Sequence, residues 1–324
     1  MKTDENEPID AVITWVDGAA PEHRTRRAQF MARQAGVLSE NARNPHRWEA
    51  SDEITYCLWS IHHHAPWLRW IWIVAEQGAP ELGNLPETLR KRIRIVRHEE
   101  IFAEYEHLLP TFNSLSLESM LWRIEGLSER YLYFNDDVFL TAPLGPDDMF
   151  EGAVPVLRGE WRDYSALASD TQARQDPARF GHVMQINAAA LDGLDPRAVF
   201  SAAHVVHPMR REVMALLFDR HRAAFERNIA FRFRDLTQFL PQALHNQYCM
   251  AHGRARFAEP VDHLHIRSGQ GTDAPPDLTR ALLLGNALEG VRFLCVNDLP
   301  QLETLVPDAR ALIAQAVGGV ALSG

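Results

Sequence analysis

A chain of 324 residues with 46% hydrophobic content can bury a sizeable core and reads as one large or two modest domains. Its net charge of −10, with no long basic run, argues against a general nucleic-acid binder, because such proteins carry a basic face that neutralises phosphates. Three widely spaced cysteines, Cys57, Cys249 and Cys295, fit neither a disulfide framework nor a zinc pattern and read as reduced core thiols. The opening MKTDENEPID is acidic and polar where a secretory signal is basic and then apolar, and no stretch reaches the ~18 apolar residues of a membrane span. The expectation is a cytoplasmic chain; peripheral contact with the inner face of the cell membrane and homo-oligomers stay open.

In chain order, the first expected strand is Ala11 to Val16 (AVITWV), followed by a helix over Glu53 to His64. Strands come next at Trp70 to Ala75 (WIWIVA) and Ile93 to Val96 (IRIV). A helix is expected over Ser116 to Glu125, where Leu117, Met120, Leu121 and Ile124 recur at i, i+3, i+4 and i+7 and Gly126 stops the run. Tyr131 to Phe134 (YLYF) is the fourth strand, and the Pro- and Asp-rich stretch from Thr141 to Asp148 a loop. A helix over Glu212 to Asn228 would bury Val213, Leu216, Leu217 and Phe225. A second loop spans Gly269 to Pro276, and the last strand is Arg292 to Val296 (RFLCV). Most of these strands are apolar on both faces, as buried parallel strands are. The fold class is therefore α/β, a mostly parallel sheet flanked by helices. We expect a single domain over residues 1–324, with a mainly helical insertion at about 200–255.

The strand ends carry the chemistry. AVITWV is followed by Asp17 and Gly18, WIWIVA by Glu76, YLYF by Asn135, Asp136 and Asp137, and RFLCV by Asn297 and Asp298. In open parallel sheets ligands bind at the carboxyl ends of the strands. Carboxylates gathered there repel one another unless a cation lies among them, and Mg²⁺ or Mn²⁺ shared with substrate phosphates is the economical cation. Against this stands the ordinary use of Asp and Asn as turn formers and helix caps. These patterns leave nucleotide-sugar transferases, nucleotidyltransferases and phosphatases all open.

Four blocks then carry a resemblance. They are IDAVITWVDGAAP; ITYCLWSIHHHAPWLRWIWIVAEQGAP with LPTFNSLSLESMLWRIEGLSERYLYFNDDVFLTAPLGPDDMF; AHVVHPMRREVMALL with FRFRDLTQF; and VRFLCVNDLPQ. In this order they resemble the Stealth family of hexose-1-phosphate transferases, which build phosphodiester-linked capsular polysaccharides and include the lysosomal-enzyme N-acetylglucosamine-1-phosphotransferase of animals. The resemblance implies a GT-A-like sheet, a UDP-sugar donor, a divalent metal, an oligosaccharide or polysaccharide acceptor, and transfer of sugar-1-phosphate with UMP leaving. It implies Asp137 and Asp298 as metal carboxylates, with Asp17, Gly18, Asn113, Asn135 and Asp136 contacting substrate. Glu118 matches an acidic residue near the reacting centre, and His207 a histidine suited to take the acceptor's proton, with His204 as fallback. Arg232 and Arg234 of FRFR both offer a guanidinium to the diphosphate.

Departures from the family pattern fall at Thr55 and Trp59, where arginine is usual, and at Glu76, usually Asp or Asn. Consecutive His62, His63 and His64 fan over about 200° of a helix and cannot jointly bind a metal. Asp147 and Asp148 read as a capping turn. Two other readings remain: a metal-dependent glycosyltransferase releasing UDP, and a non-catalytic carbohydrate-binding protein.

Overall fold

The computed structural model describes residues 7–33, 52–267, 276–284 and 288–320. Side chains of the first strand, Ile9–Trp15 (β1), alternate between two apolar faces. Ala11 and Ile13 join one buried cluster and Val12 the other, so this strand belongs at the centre of a sheet covered on both sides. It pairs in parallel with Ile71–Ala75 (β2) on one side and Arg130–Asn135 (β4) on the other. Ile93–Arg97 (β3) extends the sheet beyond β2, and His207–Arg210 adds an antiparallel edge beside β4. The order is His207–Arg210, β4, β1, β2, β3. The expected α/β class and mostly parallel central sheet are what the chain forms.

Three expectations are corrected. The strand at the C-terminal end, Phe293–Asn297, lies outside the central sheet. It pairs in parallel with His263–Arg267 and antiparallel with Val138–Leu140 (β5), making a second three-stranded sheet. Because β5 follows β4 directly through Asp136 and Asp137, the two sheets meet at that turn, and the Val296 N–H donates to the Asp137 carbonyl at 3.0 Å.

The helix expected over Ser116 to Glu125 is an α-helical stretch, Ser114–Glu118, and then a 3₁₀ turn, Leu121–Arg123. The Trp122 indole N–H donates to the Ser119 carbonyl at 3.2 Å, and the Arg123 N–H donates to the Met120 carbonyl instead. Leu117, Met120, Leu121 and Ile124 still share one core cluster, so the apolar face survives the change of helix type. Glu212 to Asn228 is two helices, Arg211–Arg220 and Arg222–Ala230, broken at His221, whose ring meets Asp192 at 3.0 Å. The first of them turns Val213, Met214, Leu217 and Phe218 to the core, which leaves Leu216, expected inside, 45% exposed.

Glu53–His64 is helical over the residues predicted. Thr141 to Asp148 is irregular apart from one 3₁₀ turn at Pro146–Asp148, and residues 269–275 of the second expected loop lie outside the described residues. The stretch 199–255 holds three of the helices, and its strand His207–Arg210 belongs to the central sheet. Among the described residues no helix is long and apolar enough to cross a membrane.

A buried charge locks the amino end of β1. Asp10, fully buried, accepts from Arg69 Nε (2.8 Å) and Nη2 (2.7 Å), Trp72 Nε1 (3.0 Å), and the N–H groups of Trp70 (3.2 Å) and Ser128 (2.9 Å). Burial by itself would raise its pKa, but the donors led by Arg69 outweigh it and hold the carboxyl below its ordinary range. Asp10→Ala is expected to cost about 3–5 kcal/mol in urea unfolding, because it orphans several of these donors. The native contribution is present above the ordinary carboxylate range and is lost as pH falls through the lowered value.

Candidate active site

A cleft of about 1230 Å³ opens at the carboxyl ends of the strands. It is lined by Asp17, Gly18, Asn113, Glu118, Asn135, Asp136, Asp137, His207, Arg234 and Asp298, so the fold brings ten of the expected site residues to one cavity. Arg232 is the exception. Its guanidinium lies 5.0 Å from the Phe30 ring centre and donates to the His107 and Leu109 carbonyls, at 3.2 and 3.4 Å. Arg234, two residues on, lines the cleft, donates to Ser114 Oγ at 3.0 Å and sits 5.5 Å from the Phe180 ring centre.

The acidic strand ends are not equivalent. Glu76 receives His23 Nδ1 at 2.7 Å and Arg26 at 2.8 Å, which ties β2 to the helix Pro21–Arg33 and neutralises the carboxylate. Asp17 Oδ1 accepts from the N–H groups of Ala19 and Ala20 (3.0 and 3.1 Å), closing its own turn. Asp136 and Asp137 diverge. Burial, Glu53 and Asp137 push the Asp136 carboxyl well up, favouring its neutral form. At Asp137 burial is outweighed by His204, His265 and Asn297, and the carboxyl is held below its ordinary range. Adjacent carboxylates are tolerated because only one of them is held as an anion.

Asp137 Oδ2 accepts from the Asn297 amide, whose Oδ1 lies 2.5 Å from His265 Nε2. Asp137 Oδ1 is buried and accepts no hydrogen bond; His204 Nε2 stands 3.7 Å away. The ligating atoms of Asp137, His204 and Cys295 lie within 4.8 Å of one another. An ionised carboxylate with an orphaned oxygen and a neighbouring imidazole suits a divalent cation, and the nitrogen donor suits Mn²⁺ better than Mg²⁺. Asp298 lines the same cleft outside that group of three. Its backbone is left-handed (φ 55°), a conformation uncommon for a residue with a side chain.

Glu118 is held rigidly. Its Oε2 accepts from Gln242 Nε2 at 2.8 Å and its Oε1 lies 3.1 Å from the Tyr133 hydroxyl, which also meets Thr14 Oγ1 (3.0 Å) and Asn135 Oδ1 (2.7 Å). Asn113 borders the cleft, yet its amide is spent inside the protein. It caps the Glu118 helix through the Leu115 N–H (3.2 Å) and donates to the Phe231 carbonyl (3.0 Å) and Gln238 (2.8 Å). Its place is behind the site, fixing the helix that carries Glu118.

His207 sits opposite Tyr133 across the antiparallel edge, ring against ring at 6.4 Å between centres. Burial, with His204 and His245 nearby, pushes its pKa down to about 3, so the ring is neutral rather than near its ordinary midpoint. His204 is more exposed. It stacks on His265 at 5.1 Å and approaches the Asn135 amide at 3.3 Å. The alternating His263 and His265 of HLHIR, and the Tyr133–Thr14–Gln242 support of Glu118, escaped the sequence reading. Alternation in HLHIR was the available signal for the first; the second depends on contacts across more than a hundred residues.

Fold and cleft together define an α/β protein whose polar site occupies the carboxyl ends of parallel strands, with a cationic side chain, a neutral imidazole and paired carboxylates converging there. Residues 7–35 match Stealth protein CR1, conserved region 1, and residues 47–155 match Stealth protein CR2, conserved region 2. The chain belongs to the Stealth family. It is 33% identical over 305 residues to an exopolysaccharide phosphotransferase of Nocardia farcinica, covering 91% of this chain and 56% of that one. To one from Streptomyces coelicolor it is 31% identical, covering 95% and 49%, and to CpsY of Mycobacterium tuberculosis 31%, covering 90% and 52%. The chain thus spans about half the length of these relatives. Among solved structures it is similar to the galactosyltransferase LgtC (11% identity, TM-score 0.45, 97% of each chain) and to the bifunctional glycosyltransferase WbbM (12%, TM-score 0.45, 98% of this chain and 50% of that one).

Proposed function

We propose that this chain transfers a hexose or N-acetylhexosamine 1-phosphate from a UDP-sugar to a saccharide hydroxyl, releasing UMP and forming a phosphodiester in an exopolysaccharide or capsule. The observation that carries the reading is the convergence of Arg234, His207, Glu118 and Asp137 on one cleft in a chain related to exopolysaccharide phosphotransferases. Phosphoryl transfer asks the protein chiefly for positioning and charge stabilisation. Arg234, oriented by Ser114 and Phe180 in a poorly solvated wall, is suited to bidentate contact with the diphosphate. His207 is neutral, the form that accepts a proton, and an incoming anion raises its proton affinity from the depressed value of the free protein. Glu118 spends its oxygens on Tyr133 and Gln242, which favours a role in seating the acceptor over orienting His207. A divalent ion, Mg²⁺ or Mn²⁺, on Asp137 with Asp298 or His204 beside it would supply neutralisation of the diphosphate.

The bond that breaks is open to direct test. UDP-sugar labelled in the β-phosphate, incubated with Mg²⁺ or Mn²⁺ and an oligosaccharide acceptor, should leave label in the lengthened saccharide and UMP in solution. Label recovered only in released UDP would make the protein a glycosyltransferase. No metal-dependent turnover at all would point to a carbohydrate-binding protein.

A further inference from the structure

Tyr133 and Asn135 share a face of β4, and Thr14 of β1 lies opposite Asn135 in the parallel register. Tyr133 is 1% exposed and stands behind Thr14, Glu118 and Asn135, all three of which line the catalytic cleft. Three oxygens surround its one hydroxyl: Thr14 Oγ1 at 3.0 Å, Glu118 Oε1 at 3.1 Å and Asn135 Oδ1 at 2.7 Å. They come from β1, the helix Ser114–Glu118 and the end of β4.

A phenol has one proton to give. Burial first, and Glu118 next, hold the Tyr133 hydroxyl well above its ordinary pKa, so the proton stays on the phenol oxygen. Thr14 can donate to that oxygen as well as accept from it, whereas a carboxylate and an amide oxygen only accept. Two acceptors therefore compete for one proton, and two arrangements satisfy the count. In the first, the hydroxyl donates to Asn135 Oδ1, the shorter contact, and Glu118 Oε1 is open to another donor. In the second it donates to Glu118, and the Asn135 amide turns its NH₂ toward the phenol oxygen and away from His204 Nε2, which it approaches at 3.3 Å. Gln242 Nε2 donates to Glu118 Oε2 at 2.8 Å in both, so only the Oε1 side changes partner.

We propose that Tyr133 is a positioning residue for the acceptor, its hydroxyl turning between Glu118 and Asn135: in the free protein it steadies Glu118, and an acceptor hydroxyl that donates to Glu118 sends it to Asn135. The proton stays on the phenol throughout; only its direction changes. A hydroxyl kept merely to fill the core does not account for two acceptors converging on one donor, since phenylalanine fills the same space without that competition. The role of Glu118 toward an acceptor rests on the function proposed above; the sharing of the Tyr133 proton does not.

The test is a double-mutant cycle on Tyr133→Phe and Glu118→Gln, with UDP-sugar, an oligosaccharide acceptor and total donor consumption as the rate. Tyr133→Phe, which keeps the ring against His207, should lower kcat/KM for the acceptor about tenfold while the donor KM holds, the scale of one hydrogen bond to a charged group. On the Glu118→Gln background the same change should bring no further loss, because Tyr133 acts through that carboxylate. Equal losses on both backgrounds, or no loss in Tyr133→Phe, overturn the proposal. Should Tyr133→Phe fail to fold, Thr14→Val removes the third contact of the hydroxyl and leaves the ring in place; its loss should be smaller and should again vanish on the Glu118→Gln background, and a loss that persists there overturns the proposal. A readout without turnover is the buried hydroxyl proton in proton NMR spectra. A slowly exchanging resonance missing from Tyr133→Phe should move in Glu118→Gln and on saturation with acceptor; one that moves in neither overturns the sharing. Label found in UDP, or no turnover at all, together with a resonance that moves in Glu118→Gln, would sink the transfer reaction and keep the shared proton.

Discussion

Asp137→Asn is expected to abolish detectable turnover while leaving the fold intact. The substitution keeps the shape of the side chain and the turn that joins the two sheets, whose Val296 N–H to Asp137 carbonyl bond involves only backbone. It removes the anion toward which His204, His265 and Asn297 are arranged. Without that charge the orphaned Oδ1 no longer attracts a cation, and the diphosphate enters a cleft that still holds Glu118 and Asp298. Metal-dependent donor binding, followed as protection against thermal unfolding by UDP-sugar with Mn²⁺ or Mg²⁺, should fall in parallel. Near-native activity of the variant at limiting metal would remove Asp137 from the site. Because His204 approaches the same oxygen, His204→Ala should shift the metal requirement rather than abolish turnover.

His207→Ala should lower kcat by about 10²–10⁴-fold with little change in donor affinity, the pattern of a lost general base. Weakened donor binding with unchanged kcat would instead make His207 a binding residue. The buried environment adds a pH signature. His207, with a folded pKa of about 3 set by burial and its histidine neighbours, is neutral in the native state and takes up its proton on unfolding below the ordinary histidine value. The unfolded state therefore binds more protons in the window between about 6.5 and about 3, and stability falls as pH drops through it. His98 and His245, both pushed down to about 4 chiefly by burial, act in the same direction. Urea midpoints should thus fall from pH 7 to pH 5, and the fall should be smaller in His207→Ala. An inflection of kcat/KM near pH 6.5 that disappears in that variant would mean a solvated imidazole and contradict the packing against Tyr133.

Much of this protein was legible before any coordinates. Strands buried on both faces are written as unbroken apolar runs, so the residues that interrupt them, Asp17, the Asn135–Asp137 triplet and Asn297–Asp298, announce the rim of the sheet. The helix Glu53–His64 was equally plain, and the four Stealth-like blocks singled out Glu118, His207 and the two arginines of FRFR. What periodicity cannot encode is the partner across the fold. FRFR presents two arginines with the same chemistry; Arg232 turns to Phe30 and Arg234 to the cleft because the loop is pinned between Phe112 and Ser114, more than a hundred residues away. Glu76 looks like a metal carboxylate until His23 and Arg26 are seen to neutralise it, and Asn113 like a substrate contact until its amide is counted out to Leu115, Phe231 and Gln238. Phe293–Asn297 reads as one more central strand, since an apolar run does not say which edge it will join; it pairs with β5 because the turn at Asp136 and Asp137 redirects the chain into a second sheet. Burial of a side chain is a local property that composition records. The identity of the group satisfying each polar atom is a long-range pairing, and only the folded chain brings those pairs within hydrogen-bonding distance.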